Sequence, residues 1–319
     1  MRAVVYTGTG GREVMRLEER PDPTPGNDEV LVAATFAGIN TADLAQRAGA
    51  YPAPPGAPQD VPGLEVAGVV AAKGSSVRGF SEGDRVFGLV GGGGLADRVL
   101  VHERHVTLVP DRLADEEAAA IPEAFITAHD AVVSQAGLGL GDVLLVTGAN
   151  GGVGTAGVQI GVVAGARVFA SARSAHDRLA ELGAEAVAPD EAVARVQAEG
   201  GADVVLELVG APNLPGDLDA LATKGRIVVV GTGAGADADL SLRALMGKRA
   251  RIHGTVLRAR PLEEKAQAVR AFAHQLVPHL ADGRLKAIVD RVFPVEDAAD
   301  AFDYMAGSGK FGKVLLSFG

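Results

Sequence analysis

A glycine-rich turn between an apolar segment and a helical stretch constrains the fold of this chain more than any other feature. Residues 142–147 are a short apolar run typical of a buried parallel strand, residues 148–154 read GANGGVG, and residues 155–164 have helical character. A second apolar segment at residues 166–170 completes a strand–turn–helix–strand unit of about 30 residues.

Such a turn can bind phosphate, because backbone N–H groups converge at a helix N-terminus and glycine leaves the approach open. The pattern therefore predicts a dinucleotide pyrophosphate site. Its alternative is a glycine-rich turn with no ligand. The candidate residues are Gly151, Gly152, Val153 and Gly154.

The rest of the chain shows two kinds of secondary-structure pattern, one before and one after about residue 114. Its 319 residues are enough for two domains. Residues 1–109 consist of short apolar segments separated by Pro and Gly, which predicts a mostly β domain. From about residue 114 strands and Ala-rich helices alternate, which predicts a parallel sheet covered by helices on both faces. Residues 115–136 and 262–281 are predicted to be helical, and the β character of residues 313–318 predicts that the tail returns to the first domain.

Composition excludes several classes of function. The net charge is −10 without a Lys/Arg-rich block, so we expect no nucleic-acid partner and no anionic membrane partner. The absence of Cys excludes disulfides, thiolate zinc sites and a Cys nucleophile. The N-terminal residues lack an apolar leader and no window is long enough to span a bilayer, so we predict a cytoplasmic protein.

The end of the second strand predicts which dinucleotide binds. An NAD-preferring site carries a carboxylate there for the ribose 2′-hydroxyl, whereas this chain has Ser171, Arg173 and Ser174. Arg173 and the two hydroxyls can receive the 2′-phosphate of NADP through charge-assisted hydrogen bonds. We therefore predict NADPH over NADH, with an ordinary solvated surface charge as the alternative for Arg173.

Several further motifs, in order along nearly the whole chain, resemble the medium-chain dehydrogenase/reductase superfamily. More narrowly they resemble its zinc-free quinone oxidoreductases, in particular the p53-inducible quinone oxidoreductase branch. The motifs are the glycine turn, residues 38–43 (GINTAD), 47–51 (RAGAY), 62–68 (PGLEVAG), 83–86 (GDRV), 118–124 (AAAIPEA), 257–260 (LRAR) and 311–315 (FGKVL).

The resemblance implies an α/β fold with two domains. A GroES-like, β-rich catalytic domain would comprise residues 1–120 with 257–319, and a Rossmann domain with a doubly wound parallel sheet would bind NADPH through residues 121–256. Zinc-dependent relatives carry a zinc-binding Cys in place of Asn40 and a zinc-binding His in place of Leu64. Leu cannot ligate zinc, which excludes a zinc alcohol dehydrogenase.

The resemblance also places candidate residues. Asn40, Asp43 and Tyr51 would lie beside a cleft between the domains, with Asn40 and Tyr51 as donors to the substrate carbonyl and Asp43 orienting a loop or Arg47 rather than acting as an acid. The alternatives are that Asn40 caps a helix and that Tyr51 only packs a Pro-rich loop.

Three further residues are expected on the cofactor side. The resemblance implies that Thr127 lies near the nicotinamide and Lys313 near a cofactor phosphate or ribose. Gly231 follows the apolar run of residues 226–230 and is expected in another cofactor loop. Lys313 can equally be a charge at the start of a terminal strand, and Gly231 can equally belong to an ordinary turn after a buried strand. His102 and His105 have no further ligand cluster nearby and are not expected to bind a metal.

Together with the glycine turn and Arg173, the resemblance implies an NADPH-dependent oxidoreductase that reduces a small-molecule quinone or related activated carbonyl compound without zinc. A reductase of enones or 2-enoyl thioesters is the alternative, and a sensor that binds NADPH with little turnover is a third hypothesis. Residues 251–256 look like an edge strand of the cofactor domain, whose pairing across a two-fold axis would give a homodimer.

Overall fold

The computed structural model describes all 319 residues, which form two compact units. Unit 1 comprises Met1–Ile126 and Leu257–Gly319, and unit 2 comprises Thr127–Val256. The first boundary between the units lies between Ile126 and Thr127. A helix that begins at Pro122 crosses this boundary, and its residues Phe125 and Ile126 are buried.

Sixteen strands are present. In chain order they are β1 Arg2–Tyr6, β2 Met15–Glu19, β3 Glu29–Ala33, β4 Phe36–Ile39, β5 Glu65–Lys73, β6 Arg85–Leu89, β7 Arg98–His102, β8 Val106–Leu108, β9 Val143–Thr147, β10 Arg167–Ser171, β11 Glu185–Val187, β12 Ala202–Glu207, β13 Leu221–Val229, β14 Arg251–Gly254, β15 Val289–Pro294 and β16 Lys313–Ser317.

Eleven α-helices accompany them. They are α1 Thr41–Arg47, α2 Asp115–Ala119, α3 Pro122–His129, α4 Gly152–Val163, α5 His176–Glu181, α6 Ala192–Ala198, α7 Leu214–Ala220, α8 Leu242–Lys248, α9 Leu262–Gln275, α10 Val277–Ala281 and α11 Ala298–Ala306. A π-helical segment, Asp130–Gln135, follows α3. No helix is both long enough and apolar enough to span a membrane.

Unit 2 contains one parallel sheet of six strands in the order β11-β10-β9-β12-β13-β14. Chain order therefore reverses between β9 and β12, which is the arrangement of a doubly wound nucleotide-binding sheet. The first strand is apolar and almost wholly buried because helices cover both faces of such a sheet. The predicted Rossmann architecture is confirmed.

Unit 1 is β-rich. Its main sheet is antiparallel and has five strands in the order β7-β3-β5-β6-β8, packed around a buried cluster of Val and Ala side chains. A second sheet has the order β15-β16-β4, so the C-terminal strand pairs with an N-terminal one. This return of the tail follows the sequence expectation.

Two predicted helices are interrupted. Residues 115–136 form α2, α3 and the π-helical segment, and residues 262–281 form α9 and α10. A proline stands at the first or second position of each second helix, at Pro122 and at Pro278. Proline lacks the N–H that would continue the preceding helix, and its ring disfavours helical geometry in the residue before it.

Candidate active site

The glycine-rich turn of unit 2 forms the start of helix α4. Gly151 is the N-cap residue in an extended conformation, and no side chain accepts a hydrogen bond from the first turn. The N–H groups of Gly152, Val153 and Gly154 are those for which an α-helix has no internal acceptor. This uncapped N-terminus has the chemistry of a phosphate site, as the sequence predicts.

Gly154 is required by a close backbone approach. A Cβ atom added to it would lie 2.6 Å from the carbonyl oxygen of Gly148 and 2.7 Å from the backbone of Ala149. Gly148 has a positive φ of 60°, which turns the chain sharply after β9. The turn and the helix are therefore packed backbone to backbone.

Several of the other predicted cofactor residues lie at the same edge of the parallel sheet, which is the edge formed by the carboxyl ends of its strands. Strands β10, β9, β12 and β13 are neighbours, and their carboxyl ends lie at one edge because they are parallel. The turn is joined to the end of β10 by a hydrogen bond from Ala149 N to Ser171 O of 3.1 Å. Ser171 is buried, whereas Arg173 and Ser174 in the following loop are exposed and accessible to a ligand.

Gly231 and Thr127 complete the predicted set in unit 2. Gly231 follows β13, and a Cβ atom there would lie 2.3 Å from the carbonyl oxygen of Leu208 in the loop after β12. The glycine therefore permits contact between two loops of the edge. Thr127 is buried in α3 as the first residue of this unit.

Glu207 is a residue of this edge that the sequence reasoning missed. It ends β12, is 1% exposed, and accepts hydrogen bonds from the backbone N–H groups of Val209 and Gly210 and from the hydroxyl of Thr147. Its signal in the sequence is a carboxylate at the end of a strand that is otherwise apolar, in residues 203–207.

In unit 1 a buried polar cluster holds Asn40. The Asn40 amide nitrogen donates to Glu65 Oε1 at 2.9 Å, and its oxygen accepts from Lys313 Nζ at 2.5 Å. Lys313 Nζ also lies 2.6 Å from Glu65 Oε1 in a salt bridge whose side chains are 5% and 1% exposed. Lys313 can only donate, so it sets the orientation of the amide and directs its NH₂ group toward Glu65.

The contacts of Asn40 and Lys313 bear on the alternatives stated for them. Asn40 is the N-cap residue of α1, where the Asp43 carboxylate accepts a hydrogen bond from the Asn40 backbone N–H at 2.8 Å. The three N–H donors of Lys313 meet Ile39 O, Asn40 Oδ1 and Glu65 Oε1. A direct contact between Lys313 and a cofactor phosphate therefore requires this cluster to rearrange.

Asp43 is fully buried and positions backbone. Its two carboxylate oxygens accept from Asn40 N at 2.8 Å and Gly63 N at 2.9 Å. Burial raises the pKa of Asp43 to about 6, although these two hydrogen bonds oppose the shift. The carboxylate orients the segment that carries Gly63 and, with no exposed surface, has no path to a substrate.

Tyr51 is held by Arg258. The guanidinium lies 5.2 Å from the centre of the Tyr51 ring, and its nitrogens donate to Tyr51 O, Gly91 O and Gln46 Oε1. The ring thus makes a cation–π contact with a buried cation, while the Tyr51 side chain stays partly exposed. Arg258 belongs to the LRAR motif of residues 257–260, and the sequence alone assigns it no role in the site.

Glu123 is a second residue that sequence reasoning missed. Its backbone N–H donates to Glu65 Oε2 at 2.8 Å, which places it at the edge of the Asn40 cluster. Burial raises the pKa of Glu123 to about 8, with a further increase from the charge of Glu65. At neutral pH the side chain is therefore mostly a neutral acid that can hold a proton.

The arrangement of His, Cys, Asp and Glu side chains bears on metal binding. No group of three or more His, Cys, Asp or Glu side chains is arranged to hold a metal ion. His102 accepts a hydrogen bond from Arg104 N, and His105 contacts the carbonyl of Leu262 at 3.1 Å. Both histidines thus have local partners in the protein.

Two capacities follow from this geometry. Unit 2 offers uncapped N–H groups, small residues and an exposed arginine, which suit a phosphorylated dinucleotide. Unit 1 offers an oriented amide at Asn40 and a hydroxyl at Tyr51, which suit a carbonyl oxygen that gains negative charge. Neither capacity requires a metal ion.

Two family models match parts of the chain. Residues 26–111 match the alcohol dehydrogenase GroES-like domain, and residues 182–316 match a family described as zinc-binding dehydrogenase. Quinone oxidoreductases of Sus scrofa and Homo sapiens are each 32% identical to the chain, with 99% of this chain and 97% of each relative covered.

Solved structures are similar over the full length. The quinone oxidoreductase of Thermus thermophilus, described also in its complex with NADPH, has a TM-score of 0.87 and 34% identity, with 100% of both chains covered. The CurK enoyl reductase has a TM-score of 0.85 and 28% identity, with 99% of this chain and 98% of that chain covered.

Proposed function

Because this chain belongs to the quinone oxidoreductase family of the medium-chain dehydrogenase/reductase superfamily, we propose that it reduces quinones or related activated carbonyl compounds with NADPH and without zinc. The observation that carries the proposal is the uncapped start of α4, where Gly154 leaves no room for a side chain behind the turn. The relative from Thermus thermophilus, described with NADPH, supports the choice of cofactor.

The residues of unit 2 fit a phosphorylated dinucleotide. The N–H groups of Gly152, Val153 and Gly154 would bind the pyrophosphate, and Ser171, Arg173 and Ser174 would surround the 2′-phosphate. Thr127 and Gly231 are proposed to line the nicotinamide side. When bound, NADPH would supply a hydride, which carries both electrons of the reduction.

The residues of unit 1 would act on the acceptor. One N–H of the Asn40 amide donates to Glu65, and the other has only a long contact, 3.4 Å, to Gly38 O. This second N–H would turn to a carbonyl oxygen as charge develops there. Reduction also consumes one proton, and the Tyr51 hydroxyl would donate it or a hydrogen bond to the same oxygen. Asp43 would act only by holding the backbone around Asn40.

Replacement of Tyr51 by Phe tests this role. We expect Tyr51→Phe to lower kcat about tenfold, the effect of one hydrogen bond to a charge, with the KM for NADPH unchanged. Steady-state oxidation of NADPH with a 1,4-quinone measures both constants. Tyr304→Phe is the matched control, because the Tyr304 hydroxyl donates to Asp290 at 2.8 Å. Equal turnover of Tyr51→Phe and the unmodified protein with every acceptor contradicts the role.

Reduction of an enone or a 2-enoyl thioester is the second candidate function. The similarity to the CurK enoyl reductase favours it, and an amide and a hydroxyl can serve a thioester carbonyl as well as a quinone. Turnover of NADPH with 1,4-quinones, enones and 2-enoyl thioesters, compared side by side, separates the two. NADPH binding without turnover of any acceptor would instead support a sensor.

The choice of NADPH over NADH is proposed to rest on Arg173. We expect Arg173→Gln to weaken NADPH binding at least about tenfold, since a hydrogen bond to a charged group contributes roughly 1.5–3 kcal/mol. Binding of NADH, which has no 2′-phosphate, is expected to stay unchanged. Isothermal titration calorimetry with both nucleotides measures the effect. A parallel loss for NADH would assign Arg173 to another role.

A homodimer through the edge of unit 2 is also proposed. Strand β14 ends the six-stranded sheet, and Leu242, Met246 and Val256 nearby in the chain are 67%, 75% and 50% exposed. Pairing of two β14 strands would satisfy open backbone hydrogen bonds and cover these side chains.

We expect light scattering at micromolar concentration to give twice the monomer mass of 32.4 kDa. Met246→Asp should reduce this to the monomer mass, because it places a charge in the contact. Leu140→Asp is the matched control, since Leu140 is 88% exposed in the same unit but is distant from β14 in the chain. A monomer mass for the unmodified protein contradicts the proposal.

A further inference from the structure

Two buried carboxyl groups face each other beneath the cofactor edge of unit 2. Glu207 at the end of β12 is 1% exposed, and Asp217 on α7 is 4% exposed. Asp217 Oδ2 is buried and has no donor directed at it. The charged group that acts on Asp217 is Glu207, so the pair has no cation to balance a second negative charge.

Two buried carboxyl groups can lie in contact without a cation if one of them is protonated. Two carboxylates in contact cannot both ionise at low cost, so one of them keeps its proton. Burial raises the pKa of Asp217 to about 9, and the contact with Glu207 and its charge contribute to the increase. At neutral pH Asp217 is therefore a neutral acid whose O–H donates to Glu207, and this accounts for the oxygen without a donor.

The Glu207 carboxylate also accepts hydrogen bonds from the loop that follows β12. Its Oε1 accepts from Val209 N at 2.5 Å and from Gly210 N at 2.6 Å, and its Oε2 accepts from Thr147 Oγ1 at 2.8 Å and Asn213 Nδ2 at 3.2 Å. Thr147 Oγ1 in turn accepts from Leu208 N at 3.0 Å. The carboxylate thus holds residues 208–210 and the last residue of β9, which begins the phosphate-binding turn.

Residues 208–210 lie between the two glycine loops of the edge. A Cβ atom on Gly148 would lie 3.3 Å from Val209, and one on Gly231 would lie 2.3 Å from Leu208 O. Val209 O also accepts from Ala234 N at 2.9 Å. A displacement of this segment would therefore move both the phosphate-binding turn and the loop after β13.

We propose that Glu207 and Asp217 are positioning residues that share one proton and thereby hold the phosphate-binding edge in the geometry that binds the cofactor. The inference rests on the proposed binding of NADPH. Neither residue touches the cofactor in this proposal. Loss of the shared proton would leave two adjacent negative charges, and their repulsion would loosen residues 208–210.

The basic side chains on the neighbouring helices have other partners, so Glu207 is the charged group that acts on Asp217. On α6, Arg195 forms an ion pair with Glu185. On α8, Lys248 donates to the backbone carbonyls of Asp219 and Leu221. Thr147 and Asn213, which also face the pair, do not titrate.

The test compares Asp217→Asn and Glu207→Gln with the unmodified protein. An Asn amide can still donate to Glu207 but cannot lose a proton in this range. We expect the NADPH affinity of the unmodified protein to fall about tenfold per pH unit above the pKa of Asp217, and that of Asp217→Asn to stay constant between pH 7 and 10. Glu207→Gln should bind NADPH weakly at every pH. Asp219→Asn, an exposed position on the same helix, is the matched control and should behave like the unmodified protein.

A second measurement does not depend on the cofactor. The folded protein holds a proton on Asp217 that the unfolded chain releases above roughly pH 4, so its stability falls as pH rises from there to about 9. The thermal midpoint of Asp217→Asn, relative to that of the unmodified protein, should therefore increase over this window. No such increase, or the same pH dependence of NADPH affinity in both proteins, overturns the proposal. Absence of any NADPH binding would overturn the proposed function, and the thermal measurement would still decide whether the proton is shared.

Discussion

Lys313→Met is expected to lower the free energy of unfolding by about 3–5 kcal/mol, because it removes one partner of a buried ion pair. The Lys313 and Glu65 side chains are 5% and 1% exposed, and their charged atoms are 2.6 Å apart. Methionine has a similar length but no charge, so the buried Glu65 carboxyl group would be left without its cation. Asn40 Oδ1 would also lose its donor, and turnover should fall with stability.

Urea denaturation followed by tyrosine fluorescence measures this effect in the relevant unit. The chain has no Trp, and its three tyrosines, Tyr6, Tyr51 and Tyr304, all lie in unit 1. The double variant Lys313→Met with Glu65→Gln is the control, since it removes both charges. It should recover much of the lost stability. A single and a double variant of equal stability would contradict the argument that an unpaired buried charge is the cause.

Gly154→Ala is expected to weaken NADPH binding about 100-fold, corresponding to roughly 2.7 kcal/mol. The added Cβ would lie 2.6 Å from Gly148 O and 2.7 Å from the backbone of Ala149, and neither is a flexible side-chain atom. The turn or the helix must therefore shift, at a cost typical of an overpacked site. Because the phosphate would bind at this contact, the shift acts on binding directly.

Calorimetric titration with NADPH measures the loss, and Gly247→Ala is the matched control. Gly247 lies in α8 of the same unit, with no atom within 4 Å of an added Cβ. Alanine in a helix restricts the unfolded chain, so this control should bind NADPH normally and be slightly more stable. Normal affinity in Gly154→Ala would remove the turn from the proposed cofactor site.

A carboxylate within an apolar sequence motif indicates a buried polar cluster. Glu65 stands in the motif PGLEVAG, Glu123 in AAAIPEA and Glu207 at the end of an apolar strand. Each is a carboxylate that a buried segment would exclude unless it had partners. Their positions indicate buried polar clusters, but a sequence does not name the partners.

The glycine turn, the strand before it and the helix after it could be predicted from the sequence, and so could the alternation that produces a parallel sheet. These features depend on hydrophobic periodicity and on the conformational range of glycine, which are properties of neighbouring residues. The break at Pro122 has an equally local cause, although the periodicity of residues 115–136 concealed it. The resemblance to a known family extended the prediction to Asn40, Tyr51 and the cofactor.

The partners of the functional side chains were decided only by the tertiary structure. Lys313 and Glu65 are 248 positions apart, and Arg258 reaches Tyr51 O from 207 positions away. Pairing of β16 with β4 places the Lys313 ammonium against Asn40 and Glu65. Glu207 and Asp217 come into contact because strand β12 and helix α7 pack against each other. The energies of these buried charges depend on distance, desolvation and hydrogen bonds, which exist only once distant segments have packed together.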